Sequence, residues 1–291
     1  MRVKYHYSVD DSEERRRILE ERGVKNSVLP ELKLSTPGLI YKPSSRRSLV
    51  FDIFSDNPFY KEIYEKVVLT DVHHLETFKI KYSRSELKSS EWLLMDSKCA
   101  RVFTDDDNYT FEYSCLMPFG DNDFRYNHKN QIREYVLKKK INWKPNNNFY
   151  SDYDFSKIFC SEYAKRILAE SIRGIAFKSV LSKKREPHDW IYQLDFENTL
   201  PHEAVEYPEG TVTQNCEICG RTQYIIPIKP ENEIRFIRSS YLSGGTDAFV
   251  SEDVVGEGWG HHLIVVSQKV YKTVVEDMHE RNLRFAPVKL V

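Results

Sequence analysis

The chain has 291 residues, of which 40% are hydrophobic and 13% aromatic, enough for a packed core rather than a disordered chain. Its 43 Lys and Arg residues balance its 44 Asp and Glu residues, so overall charge favours neither nucleic-acid nor membrane binding. No apolar run is long enough to span a bilayer, and residues 1–7 lack the apolar region of a secretory signal. We therefore expect a cytoplasmic protein.

The N-terminal region begins with an alternating pattern. Residues 3–9 place Val3, Tyr5, Tyr7 and Val9 on one face, which predicts a half-buried strand. Ser12 is a suitable N-cap for a surface helix that ends at Gly23. Residues 27–48 contain three prolines and predict an extended connection, which leads into a buried strand at 49–54.

The next part of the chain predicts a hairpin and a helix. Residues 99–103 and 109–117 have strand-like patterns, and the polar residues 105–108 between them predict the turn. A helix is predicted near 128–140, and a loop at 146–148.

An internal repeat is the most informative feature of the chain. Residues 158–161 and 264–267 are short apolar strands that end in a serine, and each is followed by an amphipathic helix. Each copy then closes with a strand, at 175–180 and at 283–288. Since a single strand–helix–strand unit cannot bury both of its faces, we expect two copies to pack on a shared sheet.

The repeat determines our predicted fold class and domain organisation. We expect an α+β protein with mixed sheets, in which two related strand–helix–strand units pack into one compact body. The predicted boundary follows the first unit, so that residues 1–182 form an N-terminal half and residues 183–291 a C-terminal half.

Charge is unevenly distributed along the chain. Residues 121–194 contain 15 basic and 9 acidic residues, whereas residues 195–260 contain 4 basic and 12 acidic residues. Two solvated surfaces would explain this distribution, but an acidic face would also suit a basic partner. The basic runs at 138–140 and 183–185 are explained by a solvated helix end and a charged linker, and we expect no nucleic-acid partner.

Cys216 and Cys219 form a C-x-x-C-G knuckle, the spacing at which two thiolates bind one zinc ion. A closed structural site needs four ligands, and no second C-x-x-C occurs in the chain. His202, His261 and His262 are available, but no spacing rule selects them. We therefore expect either no cofactor or a single structural zinc, and favour a partial knuckle.

Other motifs do not indicate catalysis. The glycine-rich stretch 256–260 precedes a strand rather than a helix, so it does not match a phosphate-binding loop. Residues 105–107 lack the later glycine and glutamate of a calcium loop. The pairs at 73–74 and 261–262 lack the spacing of a zinc-protease helix. We predict that the protein is not an enzyme.

The C-terminal stretch resembles a known family. The knuckle at 216–220 is followed by R-F-I at 235–237, D-A-F at 247–249, I-V-V-S, an amphipathic helix and L-R-F-A-P-V. This order resembles the double-CXXCG motif proteins and, more broadly, immunity proteins of bacterial polymorphic toxin systems. The chain departs from the family pattern because it has only the second knuckle.

The resemblance implies an immunity protein that neutralises a cognate bacterial toxin by binding it and covering its active site. The acidic C-terminal half is then the first place to look for contacts, and we predict Glu252, Asp253, Glu257 and Trp259 as partner-binding residues. The alternative is a zinc-knuckle protein that binds nucleic acid or regulates another protein. A third possibility, an enzyme without a recognisable motif, requires a cavity that holds carboxylates or histidines with shifted pKa values.

Overall fold

The computed structural model describes residues 2–35, 40–71, 75–104, 107–119, 122–152, 157–216, 220–227, 235–256 and 260–291. It has the predicted α+β class, with mixed sheets and short helices. The chain forms two compact units, Met1–Ser83 and Arg84–Val291. Within the described residues, no helix combines the length and the apolarity needed to cross a bilayer.

The first unit is an antiparallel sheet with helices on one side. Its elements are β1 (Arg2–Asp10), α1 (Glu13–Glu21), β2 (Asn26–Ser35), β3 (Ile40–Phe54), α2 (Tyr60–Ile63), which continues as a π-helical turn (Tyr64–Val68), and β4 (Leu75–Lys81). The sheet order is β2-β3-β1-β4. As predicted, Val3, Tyr7 and Val9 are buried on one face of β1, and the Ser12 side chain caps α1.

The extended connection predicted at 27–48 was wrong. The described residues of this range, 27–35 and 40–48, belong to β2 and β3, which pair from Asn26↔Phe51 to Ser35↔Ile40. β2 is an edge strand, and the register of the pair shifts between Pro30 and Leu32. An edge strand with such an irregularity tolerates proline, so proline there did not exclude a strand.

The second unit begins with helix α3 and carries most of the strands. The elements before the first repeated helix are α3 (Arg84–Ser89), β5 (Trp92–Ser97), β6 (Ala100–Val102), α4 (Asp107–Thr110), β7 (Phe111–Phe119), β8 (Asn122–Gln131), β9 (Tyr135–Val136), β10 (Phe149–Asp152) and β11 (Ile158–Ser161). The helix and its following strands are α5 (Glu162–Ser171), β12 (Ile175–Leu181), β13 (Pro187–Phe196), β14 (Thr199–Leu200), β15 (Val205–Glu206), β16 (Val212–Asn215) and β17 (Thr222–Ile225). The last elements are β18 (Arg235–Ile237), β19 (Ala248–Val255), β20 (His261–Ser267), α6 (Gln268–Tyr271), which continues as a π-helix (Lys272–Asp277), and β21 (Leu283–Leu290).

Two local predictions in this unit were wrong. β6 pairs in parallel with β10, and β7 forms a hairpin with β8, so residues 99–117 are not a hairpin. The helix predicted at 128–140 is replaced by the end of β8 and by β9. Tyr135, Val136 and Leu137 are buried in succession, whereas Ile132 is 51% exposed. Three consecutive buried side chains fit a strand covered on both faces better than one helical stripe.

The predicted repeat is confirmed, and it extends beyond the strand–helix–strand units. One sheet has the order β6-β10-β11-β13-β12-β9, and the other contains β14-β19-β20-β5-β21-β18. Neighbouring strands have the same relative directions in these two orders. In both, the first and last pairs are parallel and the three pairs between them are antiparallel. The units therefore lie on two sheets rather than on one shared sheet.

The two repeats exchange their first strands. Seven elements of one repeat match seven of the other, one to one in chain order. They are β5, β6, β9, β10, β11, α5 and β12 in the first repeat, and β13, β14, β18, β19, β20, α6 and β21 in the second. However, β5 is placed between β20 and β21, and β13 between β11 and β12. The predicted boundary at 182/183 thus lies in the β12–β13 turn, within the second unit, and separates the repeats.

One hydrophobic core joins the repeats. Ala164, Leu168 and Ile172 from α5 pack in the same cluster as Val270, Val274 and Met278 from the second repeat. Both triplets have the i, i+4, i+8 spacing that places side chains on one helix face. The two helical stripes are therefore buried in one shared cluster, while the sheet of each repeat also carries a smaller hydrophobic cluster of its own.

Candidate functional site

The most organised polar group on the described surface lies around Asp253. This carboxylate is only 7% exposed, and its Oδ2 accepts hydrogen bonds from the Tyr207 hydroxyl at 2.6 Å and from His202 Nδ1 at 2.9 Å. His202 has a side chain that is 50% exposed. The buried carboxylate therefore fixes the orientation of two side chains that reach the surface.

Three rings stack above this carboxylate. The Tyr207 and Tyr224 rings are 4.4 Å apart and 8° from parallel, and His202 lies 5.1 Å from Tyr224. Burial raises the pKa of Tyr207, and its hydrogen bond to Asp253 raises it further. Burial also raises the pKa of Tyr224, with smaller contributions from Asp253 and Glu252. Both phenols remain neutral near pH 7. We call His202, Tyr207, Tyr224, Glu252 and Asp253 the acidic–aromatic cluster.

A strand irregularity lies beside Glu252 and Asp253. The β19–β20 register shifts between Val250 and Val254. Inside this bulge, Ser251 donates a 2.7 Å hydrogen bond to the Asp253 carbonyl and accepts one from the Leu263 amide at 2.8 Å. Ser251 and Asp253 are buried and Glu252 between them is exposed, which is the ordinary alternation of side chains along a strand. Bulges are common beside functional sites.

The cluster is set in acidic surroundings. Glu203, Glu206 and Glu209 are exposed residues that lie within two positions of His202 or Tyr207 in the chain. Only Glu206 has a described ion-pair partner, Arg238 at 3.5 Å. Two cations, Arg238 and the Arg235 whose charge acts to lower the pKa of Tyr207, offset part of this negative charge. An acidic surface beside ordered rings is suited to contact with a positively charged partner.

The Asp253–His202 pair also resembles the pair that orients a general base in hydrolases. Among the described residues, however, His202 has Asp253 as its hydrogen-bond partner and no nucleophilic hydroxyl or thiol. Two open cavities in the described part, of 680 Å³ at the first sheet and 440 Å³ beside Trp92 and Asp247, are lined by other residues. The ordered rings and the buried carboxylate suit a rigid contact surface.

Cys216 lies at the tip of the β16–β17 hairpin, where it is 2% exposed. The tip closes through backbone hydrogen bonds from Gly220 to Cys216 and from Cys216 to Arg221. Gly220 has φ +72°, a conformation that glycine adopts readily. Cys219 lies outside the described residues. The described residues contain no group of three side chains that could bind a metal ion, so they do not by themselves form a complete zinc site.

The predicted contact residues have different placements. Glu252 is an exposed member of the cluster, whereas Asp253 is an internal support for His202 and Tyr207. Glu257 and Trp259 lie outside the described residues. Sequence reasoning missed Tyr207 and Tyr224 and treated His202 only as a possible zinc ligand. Because the cluster comes from three separate segments of the chain, 202–207, 224 and 252–253, no local spacing pattern could have identified it.

No protein-family model matches the chain, and neither curated proteins nor solved structures show a match to it.

Proposed function

We propose that this protein is an immunity-type binding protein that neutralises a cognate bacterial toxin in the cytoplasm by covering the toxin's active site. The acidic–aromatic cluster is the observation that supports this proposal most directly. It offers ordered rings beside exposed carboxylates.

The energetics of binding favour such a surface. Tyrosine is enriched among the residues that dominate binding energy at protein interfaces. Stacked rings held by a buried carboxylate lose little conformational entropy on binding, because they are ordered beforehand. The exposed carboxylates would accelerate association with a basic toxin surface and would select against acidic proteins. Asp253 would act as a positioning residue, and Glu252 would contact the toxin.

Comparative affinity purification tests this proposal. The tagged full-length chain is expressed in its native host beside two variants of equal charge change. The cluster variant carries Glu203→Lys and Glu252→Lys. The control carries Glu170→Lys and Glu13→Lys, at exposed helix positions outside the cluster. Mass spectrometry then quantifies the proteins that are captured.

The proposal predicts one stoichiometric toxin-like partner, captured by the wild type and by the control but reduced at least tenfold with the cluster variant. A partner held equally by all three proteins would refute the role of the cluster. Recovery of no protein partner would remove the support for toxin binding.

The second candidate is a zinc-knuckle protein that binds nucleic acid or regulates another protein, and the Cys216 hairpin favours it. Elemental analysis of the purified protein separates the candidates, because a structural site holds one zinc per chain. Zinc at that ratio, lost in Cys216→Ser, would favour this second candidate.

A further inference from the structure

The two basic runs that are distant in sequence meet on one face of the second unit. β9 pairs in parallel with the end of β12, through Val180↔Tyr135 and Leu181↔Val136. The Leu137 amide donates a 2.8 Å hydrogen bond to the Leu181 carbonyl. Residues 138–140 therefore leave the sheet beside the turn at 183–185. The sequence interpretation of these runs as a helix end and a linker was wrong, since one follows a strand and the other is a hairpin turn.

Aromatic rings lie among these cations. Lys139 is 5.1 Å from the centre of the Phe103 ring, and Lys140 is 5.9 Å from that of Trp190. Arg185 lies 3.5 Å above the Tyr109 ring. All three rings are partly exposed, and His188 packs 4.8 Å from Trp190. We call this surface the basic–aromatic face. Its cations are Arg133, Lys138, Lys139, Lys140, Lys183, Lys184 and Arg185, and its rings are Phe103, Tyr109 and Trp190.

Acidic and basic residues both occur around this face, but four of its lysines lack a described ion-pair partner. All seven cations are exposed, and the acidic residues next to the face in the chain are Asp105–Asp107, between Phe103 and Tyr109, together with Glu134, Glu186 and Asp189. Within the described residues, Lys138, Lys139, Lys140 and Lys184 have no carboxylate within 4.0 Å. Like charges that lie together repel each other and do not stabilise the fold. An anionic ligand bound to this face would offset that repulsion.

We propose that the basic–aromatic face binds single-stranded nucleic acid, an activity beyond toxin neutralisation and independent of it. The exposed ammonium groups would contact phosphates along the strand, and the partly exposed rings would stack with bases. The rings decide between anionic ligands, because an acidic peptide uses the cations but has no bases to stack on Trp190 or Phe103. The hairpin turn holds its cations in place, since Arg185 donates its amide to the Ser182 carbonyl at 2.9 Å.

Fluorescence anisotropy with a short labelled single-stranded oligonucleotide tests the proposal on the full-length chain. The face variant carries Lys138→Glu, Lys139→Glu, Lys140→Glu and Lys184→Glu. The matched control carries Lys25→Glu, Lys61→Glu, Lys79→Glu and Lys272→Glu, which are exposed positions elsewhere. Circular dichroism verifies that each variant is folded.

We expect the wild type and the control to bind at about 50 mM salt and the face variant to bind at least tenfold more weakly. Each phosphate contact on a single strand contributes roughly 0.7 to the salt slope, so four lysines predict a slope steeper by about 3 in the wild type than in the face variant. Trp190→Leu should weaken binding severalfold while leaving the slope unchanged, because stacking releases no counterions.

Three results would overturn the proposal. The first is absence of oligonucleotide binding by the wild type at low salt. The second is an equal loss of affinity in the face variant and in the control, which would indicate non-specific attraction. The third is equally tight binding of polyglutamate that is abolished in the face variant, which would assign the face to acidic proteins instead.

Discussion

At the scale of single residues, the Asp253 carboxylate supports the acidic–aromatic cluster through its two hydrogen bonds to Tyr207 and His202. Removal of a buried acceptor leaves its donors without partners, which costs more than the hydrogen bonds themselves contribute to stability. The neighbouring Glu252 is exposed and provides a natural comparison.

We therefore expect Asp253→Ala to lower the free energy of unfolding by about 1–3 kcal/mol. Glu252→Ala should change it by no more than about 0.5 kcal/mol, as is usual for surface positions. Urea unfolding measures both values. Equal effects of the two substitutions would show that Asp253 does not support the cluster.

A second prediction concerns pH and the first unit. Hydrogen bonds from Arg22 and Lys66 lower the pKa of Glu62 to about 2, from the ordinary 4.5. Because the pKa is lowered on folding, the resulting stabilisation is present above the unfolded pKa and is lost as the pH falls through the folded pKa. Glu62→Gln should therefore lower the urea midpoint at pH 7, and the difference from wild type should shrink between about pH 5 and pH 2. A difference that stays constant over this range would contradict the prediction.

At the scale of elements, the two repeated helices begin at matching serines with nearly the same backbone, φ −72° at Ser161 and φ −69° at Ser267. Their side chains differ in one respect. Ser161 accepts a hydrogen bond from the Ala164 amide at 3.3 Å and donates to Asn148. Ser267 donates to Asp247 at the matching position, but it does not cap its helix.

This difference predicts unequal costs of the same substitution. Ser161→Ala should lower the free energy of unfolding by about 1–2 kcal/mol, since an N-cap and a second hydrogen bond are lost. Ser267→Ala should have a smaller effect, because only the contact with Asp247 is lost. Urea unfolding of the two variants side by side tests the order, and a larger loss in Ser267→Ala would refute it.

These helices also mark how far sequence patterns reach. The serine positions and the two apolar stripes were visible in the sequence because they follow local periodicity. The predicted stripes were Ala164, Ile167, Leu168 and Ile172 in the first helix and Val270, Val274, Val275 and Met278 in the second. Pairing of β6 with β10, or of β9 with β12, depends on partners far along the chain and leaves no local signal. The acidic–aromatic cluster escaped prediction for the same reason, as Tyr207, Tyr224 and Asp253 meet only after long-range pairing.

At the scale of the whole molecule, exchange of β5 and β13 makes the two repeats of the second unit depend on each other. Each exchanged strand lies in the middle of the sheet formed by the other repeat. The loops after the helices make reciprocal contacts, because the Arg281 amide donates to the Asn146 carbonyl and the Asp247 amide to the Arg173 carbonyl. Gly174, in the loop after α5, lies so close to Thr246 that a Cβ atom added to the glycine would be 2.1 Å from the threonine hydroxyl oxygen.

This exchange predicts that a chain divided in the 183–185 turn yields fragments that require each other. Residues 1–182 lack β13, and residues 183–291 lack β5. We expect the separate fragments to show no cooperative unfolding of the second unit, and the co-expressed fragments to purify together at equal stoichiometry. Cooperative folding of residues 183–291 alone would show that the repeats are independent domains.

The most direct test of the central claim, that the chain neutralises a toxin through the acidic–aromatic cluster, is growth of cells that express the captured partner. Growth is measured with the wild-type chain, with the Glu203→Lys/Glu252→Lys variant and with the Glu170→Lys/Glu13→Lys control. Our account predicts that the partner arrests growth, that the wild type and the control restore it, and that the cluster variant does not. Equal rescue by the cluster variant, or a partner that is harmless without the chain, would contradict it.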